Sequence, residues 1–159
     1  MSKISKVVEG KPAPAFSLPD QDGKTVSLKD LAGKHVILYF YPKDDTPGCT
    51  KESCGFRDFH KDIQKLGTVI LGVSADDAES HKAFIAKYKL NFSLLTDADR
   101  KVMTAYGAYG EKMMYGVKKI GVIRSTAWIG PDGKVVRHWQ RVPDAAEHPA
   151  KVLEALKAL

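Results

Sequence analysis

The chain has 159 residues, of which 43% are hydrophobic, and carries a formal net charge of +6 with 25 Lys and Arg against 19 Asp and Glu. That length supports one domain over residues 1–159, with a core that needs no disulfide staples. The basic residues are scattered among acids rather than gathered into an arm, which argues against a nucleic-acid partner. The start, MSKISKVVEG, lacks a signal-peptide core, and no apolar run is long enough for a membrane span. A soluble, cytoplasmic protein is expected.

In chain order, AFSL and TVSL flank LPDQDGK, whose Asp22–Gly23 pair suggests the turn of a small hairpin. KHVILYFY, residues 34–41, is β-branched, aromatic and uniformly apolar, as a central buried strand should be. From Pro47 to about Leu66 the spacing of Phe56, Phe59, Ile63 and Leu66 predicts a helix ended by Gly67. A second apolar strand spans 67–75, and Asp76 or Asp77 opens a helix to about Tyr88 with Phe84, Ile85 and Tyr88 inward. A short strand at 92–95 and a helix over about 99–106 follow. A loop is expected from Gly107 to Gly121. STAWIGPDGKVVRHW then reads as a hairpin turning at Pro131–Gly133, with Trp128 in the core. The closing helix, about 146–158, presents Val152, Leu156 and Leu159. Strands alternating with helices and ending in a hairpin predict an α/β domain with a mixed sheet covered by helices. Such sheets place functional groups just past the carboxyl ends of strands.

At one such end stands YPKDDTPGCTKESC, which holds the chain's 2 cysteines. Thr46 fits a helix N-cap and Pro47 the first helical position, so Cys49 falls in the first turn. There the free backbone N–H groups and the helix dipole favour a thiolate. Cys54 lies on the same helix with its Cα roughly 8 to 9 Å away by helix geometry. Disulfides rarely tolerate more than about 7 Å. The two thiols therefore cannot bond across an intact helix, and a reacting pair must first unwind about one turn, which Gly48 and Gly55 ease. A metal site is disfavoured, because two cysteines are too few and His35, His60, His81, His138 and His148 lack paired zinc spacing. The spacing also departs from the C-x-x-C of dithiol oxidoreductases.

Pro42, Thr46 and Cys49 stand as P-x-x-x-T-x-x-C, and the chain resembles the peroxiredoxins in this signature. FSLPDQDG, VILYFYPKDDTPGCT, VSADD, NFSLLTD and IRSTAWIGPDGKV extend the resemblance over nearly the whole chain, to the bacterioferritin comigratory protein or peroxiredoxin Q subfamily. It implies a thioredoxin-like fold and a thiol peroxidase without metal, haem or flavin, acting on hydrogen peroxide and organic hydroperoxides and recycled by thioredoxin. By the same resemblance Cys49 is the peroxidatic cysteine. Cys54 is the resolving cysteine, and the two form a redox disulfide. Thr46 accepts from the peroxide and donates to the thiolate, and Arg124 stabilises the thiolate and the departing oxygen. Pro42 shields the cysteine, and Glu52 either orients the arginine or is an exposed helix glutamate. The subfamily suggests a monomer or weak dimer. Two other classes remain open: a dithiol–disulfide oxidoreductase acting on proteins, and a redox-switched binding or chaperone module.

Overall fold

The computed structural model describes residues 7–158. β3 (His35–Phe40) lies at the centre of a five-stranded sheet in the order β5-β4-β3-β8-β9, parallel to β4 (Thr68–Ser74) and antiparallel to β8 (Ser125–Ile129). β5 (Ser93–Thr96) runs parallel to β4 at one edge, and β9 (Val135–Trp139) closes the other edge antiparallel to β8. The side chains of the central strand alternate between two cores. Val36, Leu38 and Phe40 meet Phe16, Met103 and Tyr106, whereas Ile37, Tyr39 and Tyr41 meet Cys49, Phe56, Ile63 and Phe84. A strand buried on both faces in this way has no polar side to show.

The second of these cores is roofed by α1 (Pro47–Lys65), α2 (Ala78–Tyr88) and α4 (His148–Lys157). α3 (Lys101–Ala105) lies with the first core. α1 ends where expected, with Gly67 at φ 67° donating its N–H to the Gln64 carbonyl. Asp77 caps α2 by accepting from the Ser80 N–H at 2.9 Å. β1 (Ser17–Pro19) and β2 (Thr25–Ser27) form the N-terminal hairpin, and a 3-10 turn over Leu28–Leu31 follows that the sequence did not suggest.

Three boundaries move. The expected loop from Gly107 to Gly121 is instead an antiparallel hairpin of β6 (Tyr109–Met114) and β7 (Val117–Val122). Its turn is Tyr115–Gly116, both at positive φ (53° and 77°), so the usual Asn-Gly or Asp-Gly cue is absent, and interspersed glycines and lysines hide the strand alternation. α3 is shorter than expected because the Asp97 carboxylate takes the N–H groups of Val102 and Met103 and starts the helix later. α4 begins at His148 because Asp144 holds the Ala146 and Glu147 N–H groups in a preceding turn. Val152 and Leu156 of α4 are buried as expected, and Leu159 lies outside the described residues. Trp128 is core, with its indole N–H donating to His35 Nδ1 at 3.0 Å. No helix among the described residues is long and apolar enough to cross a membrane.

Candidate active site

β3 delivers the chain to Tyr41, and the segment 42–46 turns it into α1. Thr46 occupies the N-cap with extended backbone, and its carbonyl accepts the first helical bond from Thr50 N–H at 2.8 Å. Its side chain does not cap the helix. Oγ1 donates its one proton to the Lys43 carbonyl at 2.9 Å and not to the Cys49 sulfur as the resemblance implies, which leaves the hydroxyl lone pairs as acceptors. Pro42 is exposed at the start of this segment.

Cys49 is fully buried in the first turn, and Arg124 Nη2 donates to its Sγ at 3.2 Å. The arginine arrives from the neighbouring strand. Ser125 of β8 pairs with Phe40 of β3, so the residue before β8 lies beside the β3–α1 junction, and the Arg124 carbonyl is tied to the Val142 N–H at 2.8 Å. Its other arm, Nη1, donates to Glu52 Oε1 at 2.7 Å. Glu52 is completely buried rather than an exposed helix residue. Burial pushes its carboxyl up to about 7 against the opposing pull of the Arg124 charge. Its Oε2 has no hydrogen-bond partner among the described residues.

The structure thus joins Cys49, Glu52 and Arg124 directly, with Thr46 at the adjoining cap. Cys54, half-buried, follows on the same helix, and both thiols are free. Two glycines do more than soften α1. A Cβ on Gly48 would lie 3.1 Å from Arg124 Nη2, so its absence makes room for the guanidinium. A Cβ on Gly55 would lie 2.7 Å from Cγ of Pro149, so its absence lets α4 press against α1 one residue beyond Cys54.

Sequence reasoning missed how the 42–46 segment is held. The buried Asp44 carboxylate accepts from Tyr41 Oη (2.6 Å) and Ser80 Oγ (2.8 Å), and it meets His81 Nδ1 at 2.7 Å. Its own N–H donates to Asp76 Oδ2, while Asp45, at φ 60°, takes Lys87 Nζ and Tyr88 Oη. Asp44 and His81 are 37 residues apart, and the only signal in the chain was a histidine on the helix face that carries Phe84.

A cysteine at a helix start beyond the central strand of a mixed sheet, with an arginine on its sulfur, defines a thioredoxin-like protein built for thiol redox chemistry. Residues 9–138 match the AhpC/TSA family, and the chain belongs to it, among the peroxiredoxins. Peroxiredoxin Bcp of Bacillus subtilis is 42% identical over 148 residues, covering 93% of this chain and 94% of that one. A Mycobacterium tuberculosis protein provisionally named a peroxiredoxin is 49% identical over 152 residues, 96% of each chain. Among solved structures, the bacterioferritin comigratory protein of Xanthomonas campestris is 39% identical and superposes with a TM-score of 0.87 over 95% of this chain and 98% of its own. That protein's structures concern its alkyl peroxide reduction activity.

Proposed function

We propose that the chain is a two-cysteine thiol peroxidase acting on hydrogen peroxide and organic hydroperoxides. The observation that carries this is the Arg124 guanidinium, which donates to Cys49 Sγ with one arm and is fixed by the buried Glu52 carboxylate with the other. The Cys49 thiolate attacks the near peroxide oxygen. The O–O bond breaks, the sulfur becomes a sulfenic acid, and the departing oxygen leaves with a proton as water or alcohol. Arg124 and the backbone N–H of Cys49 stabilise the charge that develops on that oxygen. Thr46 Oγ1, whose proton is committed to Lys43, accepts from the incoming hydroperoxide.

Cys54 then displaces hydroxyl from the sulfenic sulfur, forming the Cys49–Cys54 disulfide and water. This requires the first turns of α1 to unwind. A protein dithiol returns the disulfide to two thiols, and we take thioredoxin as that reductant. The chain is read as a cytoplasmic, single-domain enzyme working as a monomer or weak dimer. Pro42, on the exposed side of the segment, is assigned to limiting water access to Cys49.

The test is thioredoxin-coupled peroxide consumption. Cys49→Ser is expected to abolish it, and persistence of turnover overturns the reading. Cys54→Ser is expected to reduce one equivalent and stop with oxidised Cys49; full turnover in that variant removes Cys54 from the cycle.

A further inference from the structure

Of the seven large apolar side chains exposed among the described residues, Val8, Leu66 and Val136 are scattered, whereas Met113, Tyr115, Val117 and Ile120 share the β6–β7 hairpin. Tyr115 at its turn is 97% exposed and Ile120 is 64% exposed. Single exposed apolar residues are ordinary, but a cluster on one projecting ribbon marks an interaction surface. Among the described strands, each strand of this ribbon pairs only with the other, so neither outer edge is paired to a further strand.

Charge accompanies the apolar groups. The register puts Met113 and Ile120 on one face with Glu111 and Lys118, and Val117 on the other with Lys112 and Lys119. Each face therefore combines an exposed apolar side chain with lysine, against a single acid, although Lys112 Nζ is held by the Val122 carbonyl at 2.7 Å and the free cations of the ribbon among the described residues are Lys118 and Lys119. The ribbon is also continuous with the site: β7 ends at Val122, and two residues later Arg124 donates to Cys49.

We propose that this hairpin is the docking element for the protein dithiol that reduces the Cys49–Cys54 disulfide, and that the partner presents an apolar cleft rimmed by acids around its reactive thiol. The inference rests on the peroxidase reading, because that cycle ends in the Cys49–Cys54 disulfide that needs an electron donor. The six residues from Val117 to Val122 span roughly 17 Å. A small dithiol domain with a radius of gyration of about 13 Å covers both the ribbon and the cysteines. In the supported step a partner thiolate attacks one sulfur of the disulfide, the S–S bond breaks and a mixed disulfide forms. The partner's second thiol releases it, so two electrons pass to Cys49 and Cys54, and the partner leaves as a disulfide. A second copy of this chain fits less well, since each carries +6. A flat anionic lipid surface meets only one face of a ribbon that is apolar on both.

The experiment compares reductants. Met113→Ser with Ile120→Ser, and separately Lys118→Glu with Lys119→Glu, are assayed with thioredoxin, thioredoxin reductase and NADPH, and in parallel with dithiothreitol. Each pair is expected to raise the thioredoxin KM at least tenfold, while dithiothreitol-supported turnover and the rate of Cys49 oxidation stay within twofold of the parent. Raising NaCl from 0.05 to 0.5 M is expected to raise the parent's thioredoxin KM but not that of the lysine pair. An unchanged KM overturns the proposal, as does an equal loss with dithiothreitol. Hairpin-dependent dimerisation, or binding to phosphatidylglycerol vesicles, with an unmoved thioredoxin KM assigns the surface to those occupants and overturns it too. Failure of the peroxidase reading shows separately, as no loss of Cys49 thiol on adding peroxide before any reductant. The thioredoxin KM is then measured on protein oxidised to the disulfide with diamide.

Discussion

Glu52 Oε1 and Arg124 Nη1 are 2.7 Å apart, and that contact decides which way the arginine's second arm points. Arg124→Ala removes the only side-chain donor on the Cys49 sulfur among the described residues and is expected to slow Cys49 oxidation by about 10² to 10³-fold, the usual cost of losing one preorganised donor at a developing charge. Glu52→Gln keeps the shape and an acceptor but not the charge, so it is expected to cost about tenfold. Stopped-flow oxidation rates for the two variants check the order.

Stability carries opposing pH slopes from Glu52 and His148. The folded value for Glu52, about 7, lies above its ordinary 4.5, so its contribution is complete below pH 4.5 and is lost as pH rises through 7. His148 is buried against Phe56 and Trp139, with Nε2 2.8 Å from Thr126 Oγ1. Burial first, then the charges of Lys151, Arg124 and Arg137, lower it to about 4 from 6.5. Its contribution is complete above pH 6.5 and is lost as pH falls toward 4. Each effect is roughly 3 kcal/mol. The parent is expected to show a shallow profile between pH 4.5 and 6.5, whereas Glu52→Gln rises with pH there and His148→Asn falls. Urea midpoints across that range measure this.

The glycines of α1 separate a catalytic from a packing effect. Gly48→Ala gains helix propensity but crowds Arg124 Nη2, so a several-fold slower reaction with peroxide at an undiminished Tm is expected. Gly55→Ala drives a methyl into the Pro149 ring, which has no flexible end to swing aside. It is expected to cost about 1 to 3 kcal/mol, a Tm loss of several degrees by thermal melting.

Removing His81 tests the anchor of the 42–46 segment. His81→Ala leaves the Asp44 carboxylate buried with two hydroxyl donors, Tyr41 and Ser80. The expected cost is about 1 to 3 kcal/mol by denaturant titration. The KM for hydroperoxide is expected to rise, because Thr46 loses its fixed position.

What could be read from the sequence follows the range of the interactions. β3 and the start of α1 announce themselves through local periodicity and the Thr46–Pro47 signal. Arg124 carries no local mark and emerges only through the resemblance to the peroxiredoxins, because its meaning depends on β8 pairing with β3. Glu52 is ambiguous in the sequence for the same reason: an acid in an amphipathic helix looks solvated until a cation from 72 residues away is found on it. The Asp44–His81 pair and the β6–β7 hairpin escaped because one is a long-range contact and the other turns at Tyr115–Gly116 without the usual residues.

In the proposed cycle, the contact of Pro149 with Gly55 bears on how quickly the site resets. Beyond Cys54, α1 is packed against α4, so the part that would open to join the two thiols is the end of an existing helix. Reduction of the proposed disulfide would let that end wind back by propagation, at about a nanosecond per residue, onto turns already in place. It avoids the nucleation factor of about 10⁻³ that a free segment of this length would face. In that cycle recovery would be set by electron delivery, not by refolding.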